Sequence, residues 1–494
     1  RISGQRSDCF CEKRMSDMRY YTLSFCFGCC LIGMVGVQSP ALAEVQTGDT
    51  PTPPAELLQK AAPDKADYEQ SQDPDLPALE AGNLFHSKGG KLSYWDGLVG
   101  HAMIEGGANG NPVTHSGRNF GQYFTDKSNT GTLNQITASI SHPVTPIGKG
   151  YGIGFVVEML YGSDARVDPT LGMGDGTLKG GYQWAPTQAH IDVHTPWLFK
   201  HGIDFQIGQM YGLMGVEGIP ALARPFYSYN YSSDYIVPFE TVGIVATMHV
   251  SRDIDFLLGI DSGNASTFGN ATVNKQPKGY AGLVFKNLMD NKMTIRAISH
   301  LGPAGNSGTA VTSADGWTSA GIGSAANKLM QYNVEVSMSY RFTDKVTFTE
   351  DIIVDRDESI RDTAYGFTSY VAWDLRKNLT LNFRGEIFRD NTGGVITQFI
   401  GSDSYRSYLR NRPYAYYSAP ATTYGELTAG VSWKPPVIND HLGKGTFTLR
   451  PELRLDRSLN GTHPFNRSAS VMNPVVTNGT RNMFWVSCDA ILSF

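Results

Sequence analysis

The sequence predicts an all-β protein: a transmembrane antiparallel β-barrel of about sixteen strands, with short periplasmic turns and long extracellular loops. Three observations predict it. Segments of about ten residues alternate apolar and polar positions, as strands with two different faces do. The connections between them alternate short and long. Large aromatics recur at one end of the segments, on the apolar face. After residue 43 no apolar run is long enough for a membrane helix.

Charged residues make up only 18% of the chain, below the usual quarter, and the net charge of −5 argues against nucleic acid as a partner. The stretch "MRYYTLSFCFGCCLIGMVGVQSPALA" has one basic residue, Arg19, an apolar run from Tyr21 to Val37, then Pro40 and Ala41-Leu42-Ala43. This is the pattern of a secretory signal peptide cut after Ala43, with an uncleaved anchor as the alternative. Residues 1–14 precede the first methionine, Met15, and read as an over-extended reading frame. Residues 1–43 are therefore expected to be a leader, 44–90 a disordered periplasmic linker rich in Pro, Ala and acids, and 91–494 the barrel. Five of the six cysteines precede the cut, leaving Cys488 without an intrachain partner. The mature chain keeps 36 basic and 43 acidic residues, a net −7.

Strands are expected at 97–107, 133–143, 151–163, 187–197, 202–211, 240–250, 253–262, 279–288, 291–301, 330–341, 345–356, 363–375, 378–389, 424–434, 445–456 and 483–494. Connections after even-numbered strands are short, such as "SRD" at 251–253 and "RKN" at 376–378. Those after odd-numbered strands are long, with 357–362 the exception. An even strand number puts both termini on the short-turn, periplasmic side. In "TFTLRPELRLD" Leu449, Leu453 and Leu455 alternate with Arg450, Glu452 and Arg454. In "NLTLNFRGEIF" Leu381, Phe383 and Ile387 alternate with Asn382, Arg384 and Glu386. Period alone leaves a soluble sandwich and a membrane barrel open. Trp197, Tyr340, Trp373, Trp433 and Phe494 favour the barrel, because they end even-numbered strands on the apolar face, where an interfacial girdle belongs. The ending "RNMFWVSCDAILSF" is then a complete strand that closes on the first one. Its terminal Phe494 resembles the signal read by the barrel assembly machinery. Two positions fit poorly, Pro451 in mid-strand and the adjacent acids Glu350 and Asp351: a bulge or a misplaced strand boundary is expected at the first, and a bulge at the second.

Several stretches resemble the OmpL-like family of β-barrel porins of Gram-negative bacteria: "GRNFGQYFTDKSNTGTLNQ" (117–135), "EMLYGSDAR" (158–166), "GIDFQIGQMYGLMGVE" (202–217), "RPFYSYNY" (224–231) and "LGIDSGNASTFG" (258–269). The resemblance runs over 97–494. It implies an outer-membrane porin for passive diffusion of small hydrophilic solutes, surrounded by outer-membrane lipid, and by analogy a homotrimer. It also implies that the third long loop, 212–239, folds inward as a constriction carrying Glu217, Arg224, Tyr227, Tyr229, Tyr231 and Asp234; the competing reading is an outward loop packed against neighbouring loops.

Strand phase puts Glu105, Glu158, Asp192, Asp204, Asp255, Asp261, Glu335, Asp351, Asp355, Glu386, Glu426, Glu452, Asp456 and Asp489 toward the lumen, with Arg296, Arg341, Arg384, Arg450 and Arg454. Fourteen acids against five bases predict a weak cation preference. The competing reading is that the charges pair across strands as structural ladders. "HIDVH" (190–194) places His190, Asp192 and His194 on one face, but the histidines are roughly 13 Å apart on a strand, too far to share a metal. No nucleophile elbow, H-E-x-x-H or P-loop is present, so no enzyme, metal or cofactor is expected. The alternative function is a plugged structural or interaction barrel of the envelope without transport.

Overall fold

The computed structural model describes residues 94–114, 117–147, 150–175, 180–263, 276–304, 328–410, 415–466 and 479–494. The expected leader (1–43) and linker (44–90) lie outside the described residues.

The strands are β1 (Val99–Gly110), β2 (Thr130–Ile147), β3 (Tyr151–Gly162), β4 (Gln183–Thr195), β5 (Ile203–Tyr211), β6 (Glu240–His249), β7 (Ile254–Asp261), β8 (Lys278–Asn287) and β9 (Met293–Pro303). They continue as β10 (Met330–Thr343), β11 (Val346–Asp357), β12 (Asp362–Arg376), β13 (Leu379–Asp390), β14 (Thr397–Ile400), β15 (Ala415–Ser418), β16 (Thr422–Trp433), β17 (Thr446–Ser458) and β18 (Asn482–Ser493). All except β14 and β15 form one closed antiparallel ring of sixteen strands. The strands read from the sequence match these to within four residues at each end. The hairpin β14–β15 stands apart, inside the long connection between β13 and β16, and was not expected.

Closure is carried by β1, which pairs with β2 on one side and β18 on the other, from Met103 opposite Ser493 to Gly110 opposite Val486. Phe494 extends that seam. Its N–H donates to the Ala102 carbonyl at 2.9 Å, and its carbonyl accepts from the Ala102 N–H at 3.1 Å. A ring so closed has no free edge.

Exposure settles which face meets what. On β17 the outward Leu453 is 52% exposed, whereas the neighbouring inward Arg454 is 1% exposed. Ile352 and Val354 on β11, and Phe383 and Ile387 on β13, are likewise exposed, while Asp351, Ile353 and Asp355 on the first strand and Arg384 and Glu386 on the second are buried. A water-soluble sandwich buries the apolar face. This ring presents it, as a barrel surrounded by hydrocarbon does. Trp197, Trp373, Trp433 and Phe494 are exposed, Tyr340 is half-buried, and all stand at the short-turn end, with Tyr340 opposite Phe348 and Trp373 opposite Val346.

Neither expected bulge forms. Register runs unbroken through Met338–Glu350 and Ser337–Asp351 on one side and Glu350–Ser369 on the other. Glu350 stays on the outer face, and the Ser369 hydroxyl donates to it at 2.7 Å. Pro451 lies in register with Cys488, and the ladder to β16 lapses between the pairs Gly430–Glu452 and Trp433–Leu449. The donor that proline lacks is absorbed by that gap, without an inserted residue.

Candidate functional site: the third loop on the lumen wall

The connection from β5 to β6, residues 212–239, leaves one wall and reaches the strands opposite. Its Gly and Pro residues deny it a long helix. Besides a 3-10 turn at Ala221–Ala223 it makes one short α-helix, α1 (Tyr231–Tyr235), whose first turn is capped by Asn230 Oδ1 accepting from the Ser233 N–H at 2.7 Å.

Wall side chains hold the loop largely by its backbone. Wall carboxylates take its N–H groups. Glu335 on β10 accepts from Gly215 at 2.7 Å, and Glu452 on β17 accepts from Tyr227 at 2.9 Å and Ser228 at 3.2 Å. Glu386 on β13 accepts from the Tyr231 and Ser232 N–H groups at 2.6 and 2.9 Å, and from the Ser232 hydroxyl at 2.7 Å. Wall arginines take its carbonyls. Arg384 donates to Ser228 at 2.8 Å, Arg450 to Ala221 at 2.8 Å and to Arg224 at 2.5 Å, Arg296 to Gly215 at 3.2 Å, and Arg454 to Tyr229. The peptide groups at these points leave water for partners of the required polarity.

The loop's own charged and aromatic residues complete the seat. Arg224 pairs with Glu105 at 2.7 Å and lies over the Tyr229 ring at 4.5 Å. Glu217 pairs with Arg384 at 2.6 Å, and Arg384 also reaches Glu426 at 3.1 Å. Tyr227 donates to Asn134 Oδ1 at 3.0 Å, and Tyr231 to Asp456 Oδ1 at 2.8 Å. Asp234 accepts from the Tyr123 N–H at 3.1 Å, and burial pushes its carboxyl up to about 8. Where the loop approaches most closely the wall is glycine. A Cβ on Gly107 would lie 2.5 Å from the Tyr227 ring, and one on Gly366 would lie 1.9 Å from the Ser232 hydroxyl.

The other wall charges pair away from the loop: Asp261 meets His300 at 2.9 Å, and Asp355 accepts from Gln331 at 2.9 Å and Asn333 at 2.8 Å. Arg450 pairs with Asp489 and reaches Glu105 at 3.4 Å, Arg454 pairs with Asp456 at 2.8 Å, and Arg296 pairs with Glu335 at 3.0 Å; Asp351 is buried beside that last pair. On the wall from β3 to β8, Glu158 accepts from Thr187 at 2.7 Å and from Tyr211. There His194 meets Asp204 at 2.5 Å, His249 bridges Asp204 and Asp255 at 2.9 and 2.8 Å, and Lys286 meets Asp255 at 2.7 Å. His190 turns instead to Asp192 at 3.1 Å, so the side chains of "HIDVH" serve different partners. Asp192 and Asp204 keep water contact, with side chains 24% and 16% exposed. Arg341 is apart from the rest, exposed at the turn end of β10 beside a register shift.

Sequence phase turned the charged residues inward as pore lining without showing that the loop would bind them, and it passed over the neutral partners. Gln135 donates to the Ile219 carbonyl at 2.8 Å, and Asn230 Nδ2 donates to Tyr370 at 2.7 Å and Thr368 at 3.3 Å. Their inward parity was the available signal, since Thr368 and Tyr370 alternate with outward Phe367.

A closed sixteen-strand ring, apolar outside and charged inside, with a long loop laid across its interior, defines an outer-membrane channel of the porin class. The chain belongs to the family described as "Putative beta-barrel porin-2, OmpL-like", whose sequence model matches residues 98–494. No curated protein matches it. Among solved structures it is similar to the outer membrane channel DcaP of Acinetobacter baumannii, at 10% identity and TM-score 0.48, covering 80% of this chain and 97% of that one. It is also similar to OmpF of Salmonella typhi in complex with daunomycin, at 11% identity and TM-score 0.48, covering 81% and 98%. OprB of Pseudomonas putida matches at 14% identity and TM-score 0.48, covering 81% and 94%.

Proposed function

We propose that this porin passes small hydrophilic solutes passively through its lumen, with a weak preference for cations. The single observation behind this is the third loop, which crosses the ring and is seated on the far wall by both its N–H groups and its carbonyls. A fixed loop in a wide barrel sets a fixed aperture, and the charges left in contact with water set its sign. Wall arginines 296, 384, 450 and 454 are buried against carboxylates, whereas Asp192 and Asp204 remain hydrated, which supports cations. In this reading the short turns and both termini face the periplasm, a leader is removed after Ala43, and 44–90 is a linker. The C-terminal strand engages the assembly machinery, and three copies associate in the membrane.

A second reading has one observation in its favour. About half of the wall charges expected to line an open pore bind the loop instead, as in a plugged barrel with a structural or interaction role. Single-channel conductance of refolded 44–494 in planar bilayers under a salt gradient decides between them. Discrete steps with a cation-biased reversal potential, enlarged by deleting 212–239, are expected. A folded barrel without steps overturns the porin reading.

A further inference from the structure

At the short-turn end, imidazoles and carboxylates form one chain of contacts from β4 to β8. His194 Nδ1 meets Asp204 Oδ1 at 2.5 Å, and Asp204 Oδ2 meets His249 Nε2 at 2.9 Å. His249 Nδ1 meets Asp255 Oδ1 at 2.8 Å, and Asp255 Oδ2 meets Lys286 at 2.7 Å. An ionised carboxylate only accepts, so His249, with one at each ring nitrogen, donates from both and is a fixed cation.

His190 is built differently. Its Nδ1 lies 3.1 Å from Asp192 Oδ1, and its Nε2 lies between two side-chain amides, Gln206 Nε2 at 3.2 Å and Gln188 Oε1 at 3.3 Å. Gln206 donates to that nitrogen when the ring is neutral, and Gln188 accepts from it when the ring is protonated, so both states are satisfied. The ring is buried while its carboxylate partner keeps water contact. The charged groups facing His190 and His194 are Asp192 on their own strand, Asp204 on β5 and, behind it, His249 on β6. On β3 the positions opposite are Val156 and Gly152, and Glu158 lies opposite Gln188, held by Thr187 and Tyr211. The turn into β5 adds Lys200 and His201.

We propose that His190 and His194 set which sign of ion this lumen prefers, cancelling by protonation the negative charge that Asp192 and Asp204 present to water. The proposal rests on the porin reading for a conducting lumen. The balance of charges decides the sign. Asp192, Asp204 and Asp255 face two fixed cations, His249 and Lys286, which leaves one negative charge in excess while His190 and His194 are neutral. Protonating both rings leaves one positive charge in excess. An imidazole makes that change between about pH 8 and about pH 5, where exposed carboxylates and ammonium groups keep their charge. Arg296, two strands beyond Asp255, does not alter the balance, because Glu335 cancels it.

The test is the reversal potential of the refolded full chain in planar bilayers under a KCl gradient, read from about pH 8 to about pH 5. The ratio of potassium to chloride permeability is expected to fall about threefold or more across that range, and by less at about 1 M salt, where charge is screened within about 3 Å. His190→Gln combined with His194→Gln, which keeps neutral hydrogen-bonding side chains, is expected to hold the ratio level with pH. Asp192→Asn is expected to lower the ratio at the alkaline end and to shrink the response. A level ratio in the unaltered chain overturns the proposal. So does an undiminished response in the double histidine variant, which hands the titration to other groups and leaves the rings a structural role. Steps that ignore pH refute this proposal alone, whereas a folded barrel without steps refutes it together with the porin reading.

Discussion

Glu386 makes the most direct test of how the loop is held. Its carboxylate is 3% exposed and accepts from the Tyr231 N–H, the Ser232 N–H and the Ser232 hydroxyl at 2.6, 2.9 and 2.7 Å. Glu386→Ala leaves three buried donors without this acceptor. Each such loss costs about 1–3 kcal/mol, and the three share one site, so about 3–5 kcal/mol of local docking free energy is expected to go. Hydrogen exchange of the Tyr231 and Ser232 amides in the refolded protein should then accelerate by roughly a hundredfold to several thousandfold. Glu386→Gln keeps one carbonyl oxygen and should lose roughly half of that energy. The neighbouring clamp of Glu452 on Tyr227 and Ser228 serves as an internal control and should slow the spread of opening. Exchange at Tyr231 and Ser232 unchanged within about threefold in the alanine variant refutes the idea that wall carboxylates hold the loop.

Asp234 gives the loop a pH dependence. Its carboxyl is raised from 3.8 to about 8 by burial, so between those values the seated loop binds a proton that the unfolded chain has released. The contribution is complete below the lower value and is lost as pH rises through about 8; proteolysis of the loop should follow that loss, and Asp234→Asn should flatten it. Arg384→Met leaves Glu217 and Glu426 buried without their cation, with an expected cost of about 3–5 kcal/mol in urea unfolding that Glu426→Gln partly restores. Gly366→Ala puts a methyl 1.9 Å from the Ser232 hydroxyl, so it should displace α1 and raise conductance variance without changing heat-modifiable mobility on gels.

The ring was legible because a strand with unlike faces writes itself locally. Leu453, Arg454 and Leu455 announce both the period and the phase, and turn residues mark the ends. The hairpin of β14 and β15 was not legible, because four residues such as "TQFI" hold too little alternation to stand out. The third loop was expected inside by resemblance, but its seat was hidden. Tyr231 and Asp456 are 225 positions apart, and phase says which way a side chain points without saying what crosses the lumen to meet it. The same limit explains the two absent bulges. Local rules flagged Pro451 and Glu350 as misfits, and relief came from a gap toward β16 and from Ser369 on a neighbouring strand.

The seam between β1 and β18 also sets an order of events. Every other ring contact joins strands nearer in sequence, whereas Met103 waits for Ser493. Relative to a ten-residue hairpin that is about five doublings of chain length, roughly 3 kcal/mol of added closure entropy at ~0.6 kcal/mol each. The sheet therefore grows as an open strip and zips shut last. Until it does, two unpaired edges face hydrocarbon or one another, and β1 and β18 are the strands a folding factor must shield.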